Sequence, residues 1–203
     1  MRKPKLLSAF LFAALTVMPV HAQNHQFIVQ AGKLGAPVQP TMYGIFFEDI
    51  NFGADGGLYA EMVENRSFEF PDRLMGWNTF GNVSVNDLKP AFDRNPHYVT
   101  LLDAGHNQKY TGLENHGFFG MGLKKGMKYD FSVYARMNSL QGKMARFRVE
   151  LVGEDDVPIA WDTIEVTCNQ WKKYTGTLTS KKTDPKGFLR IFLMSADGVD
   201  LDH

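Results

Sequence analysis

The sequence predicts a mainly β protein: a β-sandwich or jelly roll, preceded by one strand and a single strand–helix unit. Three observations carry this. From about residue 77 onward, short runs of alternating apolar and polar residues are separated by turn signals at regular spacing, the pattern of sandwich folds. The chain of 203 residues carries 16 Phe and is 13% aromatic, and such residues fit pleated, half-buried surfaces. Residues 42–70 alone depart from the pattern: an apolar run leads into two acids, a glycine-rich loop and helical spacing.

Taken in order, residues 1–22 read as a secretory signal. Arg2, Lys3 and Lys5 give the positive start, residues 6–20 the apolar middle, and Val20-His21-Ala22 the small-residue end. The apolar run falls short of the roughly 20 residues that span a membrane. A secreted or periplasmic protein is predicted, with Gln23 as mature start and no membrane anchor after cleavage. Residues 26–30 alternate, with Phe27 and Val29 on one side, as in a half-buried strand. Gly32, Gly35, Pro37 and Pro40 then form a connection.

Residues 43–47 are almost continuously apolar, as in a strand buried on both faces of a parallel sheet. Glu48 and Asp49 stand at its C-terminal end, where βα units build their sites. Residues 51–57 read as a loop, and Leu58, Met62 and Val63 predict a helix over 58–68. One such unit cannot bury itself, so its siblings are expected in a longer chain.

Strands are then predicted over 80–85, 98–103, 117–123, 129–136, 146–151, 159–166, 171–179 and 188–194. Within 129–136, Tyr129, Phe131, Val133 and Ala135 alternate with Asp130, Ser132, Tyr134 and Arg136. Residues 199–203 alternate like a strand just begun, so a sandwich truncated at its C-terminal end is expected. The resulting division is 1–22 signal, 23–75 strand and βα unit, and 76–203 sandwich.

Lys+Arg and Asp+Glu both number 22, which gives no electrostatic case for nucleic acid or an anionic membrane. No pattern speaks to oligomeric state. Cys168, alone in the chain, cannot form an internal disulfide and reads as a small buried hydrophobe. His97, His106 and His116 do not match zinc-ligand spacing, so no metal site is assigned to them.

Glu48 and Asp49 make a poor acid–base pair. Glycosidic hydrolysis by the common routes needs facing carboxyl groups, about 5–5.5 Å apart for retention and roughly 6.5–9.5 Å for inversion. Neighbours in a strand point to opposite faces. Glu48 either caps the following helix or pairs with a base, or it accepts hydroxyl hydrogen bonds from a sugar.

The stretch FFEDINFGADGGLYAEMVENRSFEF resembles the opening of the (β/α)8 barrel in α-L-arabinofuranosidases of glycoside hydrolase family 51. In that family the glutamate of an F-x-E-[HD] pattern at the end of the first barrel strand bonds the arabinose; the match of Phe46-Phe47-Glu48-Asp49 implies this role for Glu48. Asp49 stands where many members have His, which leaves the second position without an assigned role. The resemblance implies an incomplete barrel, a retaining mechanism and catalytic glutamates on later strands, so no catalytic residue is assigned within the chain. This part alone is expected to be inactive.

Residues 77–203 resemble carbohydrate-binding modules of families 4 and 9. The carriers are the G-[FM]-x-x-G-x-x-Y-x-F-S-x-[YW]-A-R pattern around 120–136 and W-x-x-Y from Trp171. In arabinofuranosidases of this branch such a module follows the first βα unit. An arabinose-containing polysaccharide or oligosaccharide is the implied partner, with no cofactor required. Trp161 and Tyr134 are the candidate sugar contacts, beside Phe118 and Phe119; core packing is the alternative for each, as for Trp171. Asp197, Asp200 and Asp202 resemble the acidic C-terminal strand that helps hold a structural calcium in such modules. The sandwich would bind a glycan or only brace its host.

Overall fold

A computed structural model describes residues 26–37, 39, 41, 44, 61–103, 110–139, 144–195 and 197–203. The chain divides into two units, Met1–Phe47 and Glu48–His203. In the first, the described residues are irregular and exposed, with a turn closed by Lys33 N donating to Gln30 O at 3.0 Å. The strand expected over 26–30 does not form: Phe27 is 93% exposed and no pairing strand lies alongside among the described residues. A strand without a ladder partner leaves its N–H and C=O groups to water, so alternation alone does not produce one. Glu48, Asp49 and the predicted strand before them fall largely outside the described residues.

The second unit is a β-sandwich of eleven strands: β1 (Trp77–Phe80), β2 (Asn82–Asn86), β3 (Tyr98–Leu102), β4 (Gly112–Asn115), β5 (Met121–Leu123), β6 (Lys128–Asn138), β7 (Ala145–Val152), β8 (Pro158–Val166), β9 (Lys172–Thr179), β10 (Asp184–Leu193) and β11 (Gly198–Asp202). The six-stranded sheet runs β1-β4-β10-β7-β8, with β5 also on β10. The five-stranded sheet runs β2-β3-β11-β6-β9. All pairings are antiparallel.

Alternation sorts each strand into an inward and an outward row. Leu113, Phe147, Val149, Leu151, Leu189, Ile191 and Leu193 face inward from one sheet, and Val99, Leu101, Val133, Ala135, Val199 and Leu201 from the other. Several of these are fully buried, each contributing roughly 1.5–3 kcal/mol relative to exposure.

Three further sequence expectations are corrected. The strand over 80–85 is two strands, broken at Gly81. Gly81 has φ +75°, and a Cβ there would lie 2.5 Å from Thr111 Oγ1, so the chain turns from one sheet into the other at the residue that permits it. The strand over 117–123 is instead a turn at 116–120, which follows β4, and the short β5. Its large residues advertised a strand, but Gly117 (φ +62°) and Gly120 (φ +93°) hold a turn that leaves Phe119 96% exposed.

The helix over 58–68 is absent across its described part, 61–68, which is irregular with turns. Asn65 (φ 50°) and Phe68 (φ 56°) are left-handed. The Asn65 side chain donates to the carbonyls of Arg73 and Met75 at 3.0 Å each, competing with helical bonding. Phe68 enters the sandwich core, and Asn115 clasps the Glu64 backbone by accepting from its N–H and donating to its C=O. Residues 61–75 thus pack on the sandwich. β11 is the central strand of its sheet, paired on both sides by β3 and β6. Cys168 lies in the β8–β9 connection and is half-buried.

Candidate functional site: two outer faces

The outward rows of the six-stranded sheet carry both rings and charges. Across β8, β7, β10, β4 and β1 the register aligns Trp161, Glu150, Arg190, Glu114 and Asn78. The adjacent row is Thr163, Arg148, Phe192, Gly112 and Phe80. A Cβ on Gly112 would sit 2.6 Å from Phe80 Cζ and 2.8 Å from Phe192 Cβ, so the missing side chain leaves room for the Phe80 ring to reach over it. Tyr110 packs on Phe192 with centroids 5.3 Å apart. Together with Glu114, Glu150 and Arg190, these rings line an open groove of about 340 Å³.

The charges along the groove are mutually held. Arg190 Nε donates to Glu114 Oε1 at 2.6 Å, its second arm pairs with Asp156, and Glu150 lies 3.8 Å away. Arg148 Nε is 2.8 Å from Glu150 Oε1. Burial pushes the Glu150 carboxyl above the usual range, and Arg148 and Arg190 oppose that push. A carboxylate row over apolar rings is chemically suited to sugars, whose hydroxyls donate and whose ring faces are apolar.

The five-stranded sheet presents a second aromatic face, and there the chain covers its own rings. Residues 87–97 cross it. Arg136 is the anchor: Nε donates to Asp200 Oδ2 at 2.7 Å, and the other arms donate to the carbonyls of Lys89 (2.7 Å) and Leu88 (3.1 Å) and to Tyr98 Oη (2.9 Å). The guanidinium lies 5.0 Å from the Tyr98 ring and 4.6 Å from that of Trp171. Trp171 Nε1 donates to Lys89 O at 2.9 Å, and Tyr98 Oη to Leu88 O at 2.9 Å. Phe92 sits edge-on against Tyr134 with centroids 4.8 Å apart.

The candidate residues therefore separate. Trp161, 47% exposed, lies on the open face; Tyr134 lies on the covered one, so the two cannot grip one ligand. Phe118 and Phe119 belong to the 116–120 turn, and Trp171 is locked under residues 87–97. Phe80, Tyr110, Phe192 and Gly112 were missed. Their signal lay in long-range pairing of β1 and β10 through β4, which no local pattern reveals.

Asp200 and Asp202 are engaged within the fold. Asp200 accepts from Thr100, Asn138 and Arg136, and Asp202 is paired with His203 at 2.8 Å. Among the described residues no cluster of three or more His, Cys, Asp or Glu could hold a metal ion. Burial raises the Asp202 carboxyl against the opposing pull of His203. His97 Nδ1 contacts Glu69 Oε2 at 2.7 Å, and His116 stacks on Phe188 with centroids 4.4 Å apart. A partly open pocket of about 130 Å³, lined by Phe68, Trp77, Asp130 and His203 among others, is smaller than the roughly 300–1,000 Å³ typical of small-molecule sites. No helix among the described residues is long and apolar enough to cross a membrane.

Comparison with known proteins agrees with this geometry. The chain is 33% identical over 97% of its length to the extracellular exo-α-L-arabinofuranosidase of Streptomyces chartreusis, of which it covers 24%. It is 30% identical, again over 97%, to α-L-arabinofuranosidase 1 of Arabidopsis thaliana, covering 31% of that protein. The chain thus spans about a quarter to a third of the length of these relatives. The arabinose-bound MgGH51 α-L-arabinofuranosidase superposes with a TM-score of 0.68 over 79% of this chain and 28% of that one, at 22% identity, which bears on the fold. Residues 60–198 match the carbohydrate binding domain CBM_4_9, and the chain belongs to that family.

Proposed function

We propose that this chain is the N-terminal part of a secreted or periplasmic α-L-arabinofuranosidase, whose sandwich holds the glycan on the outer face of the six-stranded sheet. The observation that carries the reading is similarity to arabinofuranosidases along 97% of the chain. The complete enzyme would hydrolyse terminal non-reducing α-L-arabinofuranosyl residues of plant polysaccharides with retention, using catalytic glutamates beyond this chain. Glu48 would bind arabinose in the reaction site as a hydrogen-bond acceptor, not as acid or nucleophile.

On the sandwich, Phe80, Phe192 and Tyr110 offer ring faces while Glu114 accepts hydroxyls. Phe80 and Phe192 stand two strands apart, roughly 10 Å, so an extended glycan running across the strands meets rings at intervals.

The 203-residue chain is expected to show no turnover of an aryl arabinofuranoside and to be retarded in affinity electrophoresis on arabinoxylan or arabinan. Turnover would overturn the placement of the catalytic residues outside the chain. Absence of retardation on every glycan would leave a bracing sandwich. In the complete enzyme, Glu48→Gln should raise KM for the aryl arabinofuranoside; an unchanged KM would remove Glu48 from the site.

A second reading, a glycan-binding module acting without catalysis, is favoured by the open groove. It predicts binding by this chain with no arabinofuranosidase activity in the complete protein.

A further inference from the structure

At the Trp161 end of the open face the chemistry changes. The indole is half exposed on β8, and the Lys181 ammonium lies 4.2 Å from its ring centroid. The Arg148 guanidinium lies 4.8 Å from the same ring. Lys181 sits in the turn after β9 and makes no ion pair among the described residues, whereas its neighbour Lys182 is held by Asp155 at 2.7 Å. Arg148 has only Glu150, and Arg190 approaches that carboxylate as well. The remaining nearby acid, Asp162, accepts from Thr163 N and has its other oxygen towards Gly176 of β9. Beside Trp161, Lys181 is thus a cation with no ion-pair partner among the described residues, unlike Arg190 in the groove, which is held by Glu114 and Asp156.

A sugar that stacks on Trp161 must displace Lys181 from the ring or use it. A neutral sugar offers the displaced ammonium little in return for the lost cation–π contact. A sugar bearing a carboxylate offers it an ion pair at the edge of the same ring.

We propose that the Trp161 end of this face is a uronate subsite: the indole takes a sugar ring, and Lys181, backed by Arg148, takes that ring's carboxylate. The inference rests on the glycan-binding reading above and adds the class of decoration the site selects. The carboxylate could come from uronic acid branches on a xylan or from a galacturonan backbone.

The test measures retardation of the 203-residue chain on glucuronoxylan and on polygalacturonate, each against its carboxyl-reduced counterpart. On at least one pair the acidic polymer should bind roughly fivefold tighter at low salt, the scale of one exposed ion pair, and the preference should fade in high salt. Which pair shows it identifies the source. Lys181→Gln, at an exposed turn position, should abolish the preference while leaving binding to the reduced polymer in place. Trp161→Ala should weaken binding to both members. Equal binding to acidic and reduced polymers, or a preference unchanged in Lys181→Gln, overturns the uronate subsite and leaves the glycan-binding reading standing. No binding to any polymer overturns both.

Discussion

The sandwich has two aromatic outer faces with opposite fates. On the five-stranded sheet, Tyr98, Tyr134 and Trp171 are covered by residues 87–97, whose carbonyls occupy the donors of Arg136, Tyr98 and Trp171. On the six-stranded sheet, Phe80, Tyr110, Phe192 and Trp161 remain open, with Glu114, Glu150, Arg148 and Arg190 pairing beside them. An aromatic-rich strand therefore does not announce a binding face. What decides is whether the chain supplies its own ligand to those rings.

The covered face is expected to respond most strongly to mutation. Arg136→Ala strands Asp200, whose side chain is 3% exposed, and releases residues 87–97. Removing one partner of a buried pair costs about 3–5 kcal/mol, to be read from urea unfolding. Glycan retardation measured below the new melting temperature should persist, because the open face is untouched. Loss of binding in the folded variant would mean that the faces are coupled.

Gly112→Val attacks the open face. Its side chain would meet Ile191 O at 2.3 Å and both flanking rings. We expect about 1–3 kcal/mol of destabilisation and loss of retardation, with unfolding and electrophoresis as the two measurements.

Acid–base behaviour is shared by the two faces. Burial raises the Asp202 carboxyl, so the folded chain keeps that proton to higher pH than the unfolded chain does. Its stability contribution is retained below the ordinary carboxylate range and lost as pH rises from there through the raised value. Denaturant unfolding across that window should show falling stability in the wild type and a shallower fall in Asp202→Asn. Glu150 acts in the same direction and accounts for the slope that remains.

The smaller effects fall on single rings. Phe192→Ala should weaken glycan retardation roughly three- to tenfold, the scale of one aromatic contact. Tyr134→Phe, under Phe92, should leave it unchanged. A loss there would show that residues 87–97 move aside for a ligand.

Much of the sandwich is legible locally. Residues 129–136 alternate because one side chain in two faces the core, and β6 obeys that rule along its length. Over 61–68 the expected helix gives way to turns because apolar spacing cannot distinguish a helix from a segment pinned by one side chain, here Asn65. Trp161 was legible as an outward residue of an alternating strand, but its neighbour Lys181 comes from a different turn. Tyr134 has the same outward signature and the opposite environment, because residues 87–97 return over it.

By itself, the sequence determined the β class, the cleanly alternating strands of the sandwich, the kinship of both halves with arabinofuranosidases and Glu48 as the acid to test. Those features are local, since period-two burial and short motifs are written in consecutive residues. Tertiary structure alone decided which outer face is open, that Phe80 and Phe192 flank Gly112, and that Lys181 stands over Trp161 with no ion pair among the described residues. Each joins residues from separate strands or turns, and only the pairing of the sheets brings them together.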